Sequence, residues 1–416
     1  MTPDSRQIEV TNLWKVFGAN PKAALQPEHE SMSREEIRQA LGVVVGLRNV
    51  SFSVDKGQVF VVMGLSGSGK STLVRCLIRL TEPTAGQVRF EGEDILAYSP
   101  KQFVEFRRSK VAMVFQHYGL LPHRNVIENV VYGLEVRGME KQSRYRAALE
   151  AIRIVKLEGW ENNYPREMSG GMRQRVGLAR ALATDPDVLL MDEPFSGLDP
   201  LIRREMQDEL LALQSELQKT IVFITHDMNE ALKMGDVIAI MRDGEIIQMG
   251  SPEDVVTLPT DAYVTDFVRD VSRARVIPAK AIMREPAVVV YERQGPRAAL
   301  YAMSQHDLDA VFLIARDFTL KGVLTADEAK DMLVRGRESL DEATILTPTT
   351  TDPEAPIEEV VAMAARSEHP VAVVGGNGSL LGEIDRGTLL AGLSGTGADL
   401  PAQGDAQEGR RRPDSR

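Results

Sequence analysis

The chain has 416 residues, a net charge of −11 and a single cysteine, Cys76. That length suffices for two or three domains with separate cores, and the negative charge argues against a broad nucleic-acid-binding surface. A lone cysteine excludes an intrachain disulfide framework and is typical of a reducing compartment. No apolar run approaches the roughly 18 residues that span a bilayer, and the N-terminal sequence lacks a signal-peptide pattern. We therefore expect a cytoplasmic protein that can still bind a membrane protein.

The N-terminal region predicts strands around a short helical insert. The apolar segment at 7–17 reads as a strand, and the polar stretch that follows it contains Ser33 and Glu36 at capping-box spacing, with Gly42 as a helix stop. The segment "LRNVSFSVDKGQVFVVMG" then predicts two strands around the turn 55–57.

The segment "GLSGSGKST" ends the second of these strands and opens a helix at Lys70, which is the spacing of a phosphate-binding loop. Its three glycines let consecutive N–H groups converge on phosphates. Lys70 should reach the β- and γ-phosphates, Ser71 should bind Mg²⁺, and Thr72 should contact the α-phosphate. The alternative is a plain glycine turn before a helix. The nucleotide-binding candidates here are Gly64, Leu65, Ser66, Gly67, Ser68, Gly69, Lys70, Ser71 and Thr72.

From Ser99 to about Pro165 the pattern is mostly helical. The segments "DVLLMDE", "IRREMQDELLALQSEL", "TIVFITHD" and "MNEALKMG" then alternate strand and helix, which predicts a parallel sheet with crossover helices. The segment 236–250 reads as a hairpin around Arg242, Asp243 and Gly244.

Four polar side chains follow strands of this predicted sheet. Asp192 and Glu193 come at a carboxyl end, where open α/β sheets bind ligands. Asp192 is placed to hold Mg²⁺ and Glu193 to act as general base for an attacking water. His226 ends another strand, where it would contact the γ-phosphate or position the water. Gln116 would touch both the metal and the water. Taken singly, each has an ordinary structural explanation.

The stretch "MSGGMRQR" (168–175) puts two glycines at the entrance of an apolar-faced helix. Each glycine costs a helix roughly 1 kcal/mol relative to alanine. Exposed backbone at a helix N-terminus suits an anion, but a simple Ser cap with a glycine turn explains the residues equally well.

After about residue 276 a weak repeat appears, because "LKGVLTADEAKDML" at 320–333 resembles "LLGEIDRGTLLAGL" at 380–393. Each copy follows an apolar strand and a predicted helix, which indicates a paired β-α-β-β-α module. The last residues, 396–416, have the composition of a disordered tail.

The ordered set "GLSGSGKST", "VFQ", "MSGGMRQR", "LLMDEP", "SGLDP" and "ITHD" resembles the nucleotide-binding subunit of an ATP-binding-cassette (ABC) transporter over residues 7 to about 270. The resemblance implies an α/β fold, with a P-loop cassette (RecA-like mixed sheet plus helical subdomain) at 1–275 and paired repeats at 276–395. The helical subdomain would cover about 99–168 and the insert about 19–42. The repeats resemble tandem cystathionine-β-synthase (CBS)-type domains.

The same resemblance implies that ATP and Mg²⁺ are bound at a site shared by two chains in a head-to-tail homodimer. Ser169, Gly170 and Gly171 of one chain would bind the γ-phosphate held by the other, and Asp199 would lie across the interface. The family usually has Gln where this sequence has Met172, which puts a side-chain contact there in doubt. Phe17 would stack on adenine. The alternative is a core Phe17 with Trp14 as the stacking ring.

The insert, the signature stretch and the repeats together are similar to the glycine betaine/proline importer ATPase subfamily. That similarity implies a subunit at the cytoplasmic face of the membrane, driving a separate permease supplied by an external substrate-binding protein. The segment 117–165 would receive the permease, and no nucleic acid is expected. The alternatives are an importer of another solute, such as a polyamine or sugar, and a soluble ABC protein of translation or DNA repair. In the repeats, Asp327 and Asp385 are ribose-contact candidates, and the basic run 410–412 is a lipid-contact candidate.

Overall fold

A computed structural model describes residues 6–116, 118–269, 271–341, 343 and 345–394. The chain divides into two compact units, the first ending at Val271 and the second starting at Ser272. This division lies slightly before the expected boundary after residue 275, and Ala274 between the two points packs into an apolar cluster of the second unit. The predicted tail, 396–416, lies outside the described residues.

A six-stranded mixed sheet forms the centre of the first unit, with strand order β10-β9-β3-β8-β7-β6. Five strands are parallel, and β10 pairs antiparallel with β9 in the predicted hairpin. The strands β3, β7 and β8 are buried along their whole length, as expected for strands covered on both faces. The bounds are β3 Val59–Met63, β6 Val111–Val114, β7 Val188–Asp192, β8 Thr220–Thr225, β9 Val237–Arg242 and β10 Glu245–Gly250.

A second, antiparallel sheet has the order β2-β1-β4-β5. Its bounds are β1 Arg6–Phe17, β2 Val44–Asp55, β4 Ala85–Phe90 and β5 Glu93–Asp94. The two strands predicted around the turn 55–57 are present, but β2 and β3 belong to different sheets. The burial patterns agree with this, since the C-terminal half of β2 alternates and β3 is buried throughout.

The insert forms α1, Arg34–Leu41, with the predicted capping box between Ser33 and Glu36 and with Gly42 at φ 65°. The other helices of this unit are α2 Lys70–Leu77, α3 Pro100–Ser109, α4 Val126–Val136, α5 Lys141–Ile154, α6 Gly170–Leu182, α7 Pro200–Leu217, α8 Met228–Met234, α9 Pro252–Thr257 and α10 Ala262–Val268. Within the described ranges, every helix is too short or too polar to cross a membrane.

The helical region expected at about 99–168 begins too early. It includes β6, which pairs with β7 at the edge of the main sheet, and α3, whose Phe103 and Phe106 join the core beneath that sheet. The helical layer proper consists of α4 and α5 against α6. Its helices share an apolar cluster that includes Val130, Ile152 and Val176.

The second unit contains two copies of the predicted β-α-β-β-α order, each built on a three-stranded sheet. The first copy is β11 Val289–Tyr291, α12 Pro296–Gln305, β12 Ala310–Ile314, β13 Leu320–Thr325 and α13 Ala326–Val334. The second is β14 Thr350–Thr351, α14 Ile357–Ala364, β15 Val371–Val374, β16 Leu380–Ile384 and α15 Arg386–Ser394, and α11 Ala279–Ile282 precedes both. Phe312, Val323 and Ala372 form one cluster that joins the two copies.

Candidate nucleotide site

The loop between β3 and α2 requires its glycines for two separate reasons. Gly64, Gly67 and Gly69 have φ values of 150°, 82° and 111°, where other L-residues are strained. A Cβ atom on Gly64 would lie 2.3 Å from the Met241 carbonyl oxygen, and one on Gly69 would lie 2.7 Å from the Gly46 carbonyl oxygen. The loop therefore curls tightly against neighbouring backbone, a conformation that suits a phosphate cradle.

Lys70 begins α2 inside this loop. Its Nζ donates to the carbonyl oxygens of Gly64, at 2.8 Å, and Leu65, at 3.1 Å. Burial lowers the pKa of the Lys70 ammonium group, because a desolvated cation is disfavoured. Ser68 Oγ is buried and has no hydrogen-bond partner among the described residues. A buried cation and an unsatisfied hydroxyl in one loop fit an anionic ligand that would stabilise both.

Ser71 and Asp192 meet across the start of α2 and the end of β7. The Ser71 hydroxyl donates to Asp192 Oδ1 at 3.1 Å, and burial raises the pKa of the Asp192 carboxyl group. Hydroxyl and carboxylate oxygens are ligands that Mg²⁺ prefers, with phosphates completing its shell. Across the described part of the chain, no group of three or more His, Cys, Asp or Glu residues could hold a metal.

Glu193 directly follows β7 with a left-handed backbone, φ 46°. Its Oε2 atom lies 3.1 Å from His226 Nδ1 and accepts a hydrogen bond from Gln116 Nε2 at 3.3 Å. Both partners come from the ends of other elements of the same sheet, β8 and β6. The carboxylate predicted to act as a base is thus held from two sides.

A cavity of about 620 Å³ brings these groups together. Its lining joins the phosphate loop and helix α2 to Gln116, Glu193 and His226, with Phe17 at its wall. The Phe17 side chain is 43% exposed, whereas Trp14 packs against the apolar cluster around Ile37. The alternative of a core Phe17 is therefore wrong.

Comparison with known proteins agrees with this geometry. The ABC transporter family model matches residues 47–196. The glycine betaine/carnitine transport ATP-binding protein GbuA of Listeria monocytogenes is 44% identical, covering 95% of this chain and 100% of the relative. The glycine betaine/proline betaine transport system ATP-binding protein ProV of Escherichia coli is 43% identical over 94% and 99%. The chain belongs to the ABC transporter ATP-binding proteins. As a member of that family, it binds ATP and is an ATPase.

A solved ABC cassette matches the structure as well. The dimeric, post-hydrolysis MJ0796 cassette, bound to ADP and Pi, gives a TM-score of 0.50 at 30% identity, covering 59% of this chain and 98% of that one. Because the match covers nearly the whole of that cassette, it shows that this ABC protein has the expected P-loop fold with mixed α/β sheets.

The signature stretch of this ABC protein lies apart from the cavity of its own chain. Ser169 caps α6, since its Oγ accepts from Met172 N–H at 3.3 Å, and Met172 packs against the main core. Cβ atoms on Gly170 and Gly171 would lie 3.3 Å from Leu198 and 2.7 Å from Ile202. Asp199 caps α7 by accepting from Leu201 and Ile202 N–H. None of the residues Ser169, Gly170, Gly171 and Asp199 belongs to the described lining.

Sequence reasoning missed three residues of the cavity wall: Arg34, Val44 and Gly46. A Cβ on Gly46 would lie 2.7 Å from Phe17 Cε2, so this glycine makes room for the ring. A signal for Arg34 existed, because a cation in the first turn of a capped helix opposes the helix dipole.

The ribose-contact candidates of the second unit have different surroundings. Asp385 lines a cavity of about 330 Å³ together with Asp307, Asp309 and Glu383, and it pairs with Arg284. The Asp327 side chain is 93% exposed and pairs with Lys330, and Asp327 is absent from the described lining of this cavity. The basic run 410–412 lies outside the described residues.

Proposed function

We propose that this ATPase energises the import of a glycine betaine-type osmoprotectant through a separate membrane permease, at the cytoplasmic face of the membrane. The observation that carries the proposal is the extent of the similarity. Relatives named for glycine betaine transport align over about 95% of the chain, so they share both units. A soluble ABC protein of translation or DNA repair, or an importer of polyamines or sugars, has no such support. An external substrate-binding protein belongs to the same proposal.

The site residues have different roles in the hydrolysis of ATP. The phosphate loop and Lys70 hold the β- and γ-phosphates, and Phe17 stacks on adenine. Ser71, Asp192 and Gln116 are the residues that would hold Mg²⁺, and the ion would supply positive charge beside the phosphates. Glu193 accepts a proton from the attacking water, and its hydrogen bonds to His226 and Gln116 keep its carboxylate oriented toward the cavity.

The site is completed by a second copy of the chain. Ser169, Gly170, Gly171 and Asp199 stand at the starts of α6 and α7, away from the cavity of their own chain. The proposal is that they meet the γ-phosphate bound by the partner in a head-to-tail homodimer. The dimeric state of the matching MJ0796 cassette supports this arrangement.

The permease docks on the helical layer. A cavity of about 430 Å³ lies between α3, β6, α4 and α6, and its lining includes the partly exposed apolar residues Phe115, Tyr132 and Val136. The lining also includes the basic residues Arg107, Arg108, Arg137 and Arg180. A cleft that combines apolar and charged side chains suits an amphipathic helix.

The second unit, whose element order and internal repeat fit tandem CBS-type domains, is proposed to regulate transport. Asp385 lines the cavity of about 330 Å³ with four other acidic residues and Arg284, so it is retained as a ligand contact, whereas Asp327 is absent from that described lining and is not retained.

Uptake in the native organism tests the function. Replacing the gene with its Glu193→Gln form should abolish uptake of labelled glycine betaine at high osmolarity and leave uptake of labelled putrescine and maltose unchanged. Glu205→Gln is the control, because the Glu205 side chain on α7 is exposed. Loss of putrescine or maltose uptake with betaine uptake intact would identify another solute, and no change in any uptake would overturn the transport role.

A further inference from the structure

The helical insert contributes a charged side chain to the nucleotide cavity. Arg34 is the first residue of α1, and its Nη1 atom donates to the carbonyl oxygen of Gly67 in the phosphate loop at 3.1 Å. The same side chain lies 3.6 Å from Asp243 Oδ1. With Lys70, it is one of two permanent cations among the described residues that line the cavity.

The insert is held firmly enough to present this side chain. Ile37, one turn after Arg34, is fully buried in a cluster with Val16, Val43 and Val45. The segment before α1 is fixed by Arg48, whose guanidinium donates to the carbonyl oxygens of Met32 and Glu30. Because residues three apart share a helix face, burial of Ile37 turns Arg34 toward the phosphate loop.

The position of Arg34, in the first turn of α1, is unfavourable for the stability of that helix. A cation in the first turn opposes the positive end of the helix dipole, whereas Glu35 and Glu36 in the same turn complement it. The contacts that hold Arg34 are outside the helix, with Gly67 and Asp243, so the helix alone does not explain the residue, as is typical of a functional site. An anion in the cavity would stabilise the guanidinium further.

We infer that Arg34 is a second nucleotide-binding cation, which contacts the phosphates of ATP from the side of the insert while Lys70 contacts them from within the loop. The inference rests on the proposed nucleotide site. The guanidinium suits this role because its five donors allow it to bind phosphate and the Gly67 carbonyl together. The insert is therefore part of the nucleotide site rather than a surface decoration.

Calorimetric titration of the full-length protein with Mg·ATP and Mg·ADP tests this role. Arg34→Ala should weaken ATP binding by about 10- to 100-fold, the usual effect of a lost charged hydrogen bond. Arg34→Gln keeps a donor for the Gly67 carbonyl but lacks the charge, so it should bind about as weakly as Arg34→Ala. Arg38→Ala, on the exposed face of the same helix, should bind like the wild type.

Two further variants separate the alternatives. Wild-type affinity in Arg34→Gln would overturn the inference, because a neutral donor would then suffice to position the loop. Asp243→Asn leaves Arg34 charged and should bind ATP at least as well as the wild type, so weakening equal to that of Arg34→Ala would also overturn it. Lys70→Ala tests the site itself. If Lys70→Ala loses ATP and Arg34→Ala does not, only the Arg34 inference fails, and if neither loses ATP the proposed site fails.

Discussion

His226 and Glu193 face each other across the ends of two neighbouring strands, with Nδ1 of the histidine 3.1 Å from Oε2 of the carboxylate. This contact places Glu193 to act as the base, so exchanging it should affect hydrolysis rather than ATP binding. Glu193→Gln keeps the shape but cannot accept a proton, so we expect hydrolysis to fall by about 10²- to 10⁴-fold with ATP binding retained. Steady-state ATPase rates and ATP titration measure the two quantities, with Glu205→Gln as the exposed control. A near wild-type rate in Glu193→Gln would exclude it as the base.

The close approach of Phe17 to Gly46 predicts a stacking defect. Phe17→Ala should weaken ATP binding by about 5- to 150-fold, because base–aromatic stacking contributes about 1–3 kcal/mol, and Phe17→Tyr should retain affinity. Gly46→Val should mimic Phe17→Ala, since its side chain would displace the ring. Trp14→Leu keeps an apolar side chain, although a smaller one without a ring, and serves as the control. Equal weakening by Trp14→Leu would return the stacking role to Trp14.

The separation of Ser169 from its own cavity predicts complementation between inactive chains. Lys70→Ala and Ser169→Arg chains should each be inactive alone, and their mixture should recover ATPase activity because every mixed dimer contains one intact site. The control mixes Lys70→Ala with the double variant, which restores no site. Absence of recovery, with mixed dimers demonstrated by mass spectrometry, would argue against a site shared between chains.

Glu230 predicts a pH-dependent difference in stability. It is buried, accepts a hydrogen bond from Thr225 Oγ1, and burial raises its carboxyl pKa above 4.5. Its stabilising contribution is therefore complete below the unfolded-state pKa and is lost as pH rises through the higher folded-state value. Relative to Glu230→Gln, the wild type should lose stability as the pH rises above 4.5. Urea unfolding at several pH values measures this, and a pH-independent difference would refute it.

The division after Val271 defines a clean truncation. Cutting there removes the second unit without leaving Ala274 and Ile277 of its core behind. If the repeats regulate, the shortened subunit should retain ATP-driven transport in proteoliposomes and lose its dependence on salt. The full-length complex in the same vesicles is the control. A folded, assembled but transport-inactive truncation would show that the second unit is needed for coupling.

Local spacing in the sequence was sufficient to predict many of the local elements of this protein. Each of these elements depends on residues close together in the chain. They are the phosphate loop, the strand–helix alternation around Asp192 and His226, the cap at Ser33, and each of the two similar segments at 320–333 and 380–393. Their backbone preferences and hydrophobic periods are expressed wherever the segment packs.

Only the tertiary structure decided which of these segments meet. It placed β2 and β3 in separate sheets, drew β6 into the main sheet, and brought Arg34 of the insert to the phosphate loop. It also separated Asp327 from the cavity that contains Asp385. Each of these outcomes depends on contacts between residues distant in sequence, and the pattern of a single segment does not record which partner will cover it.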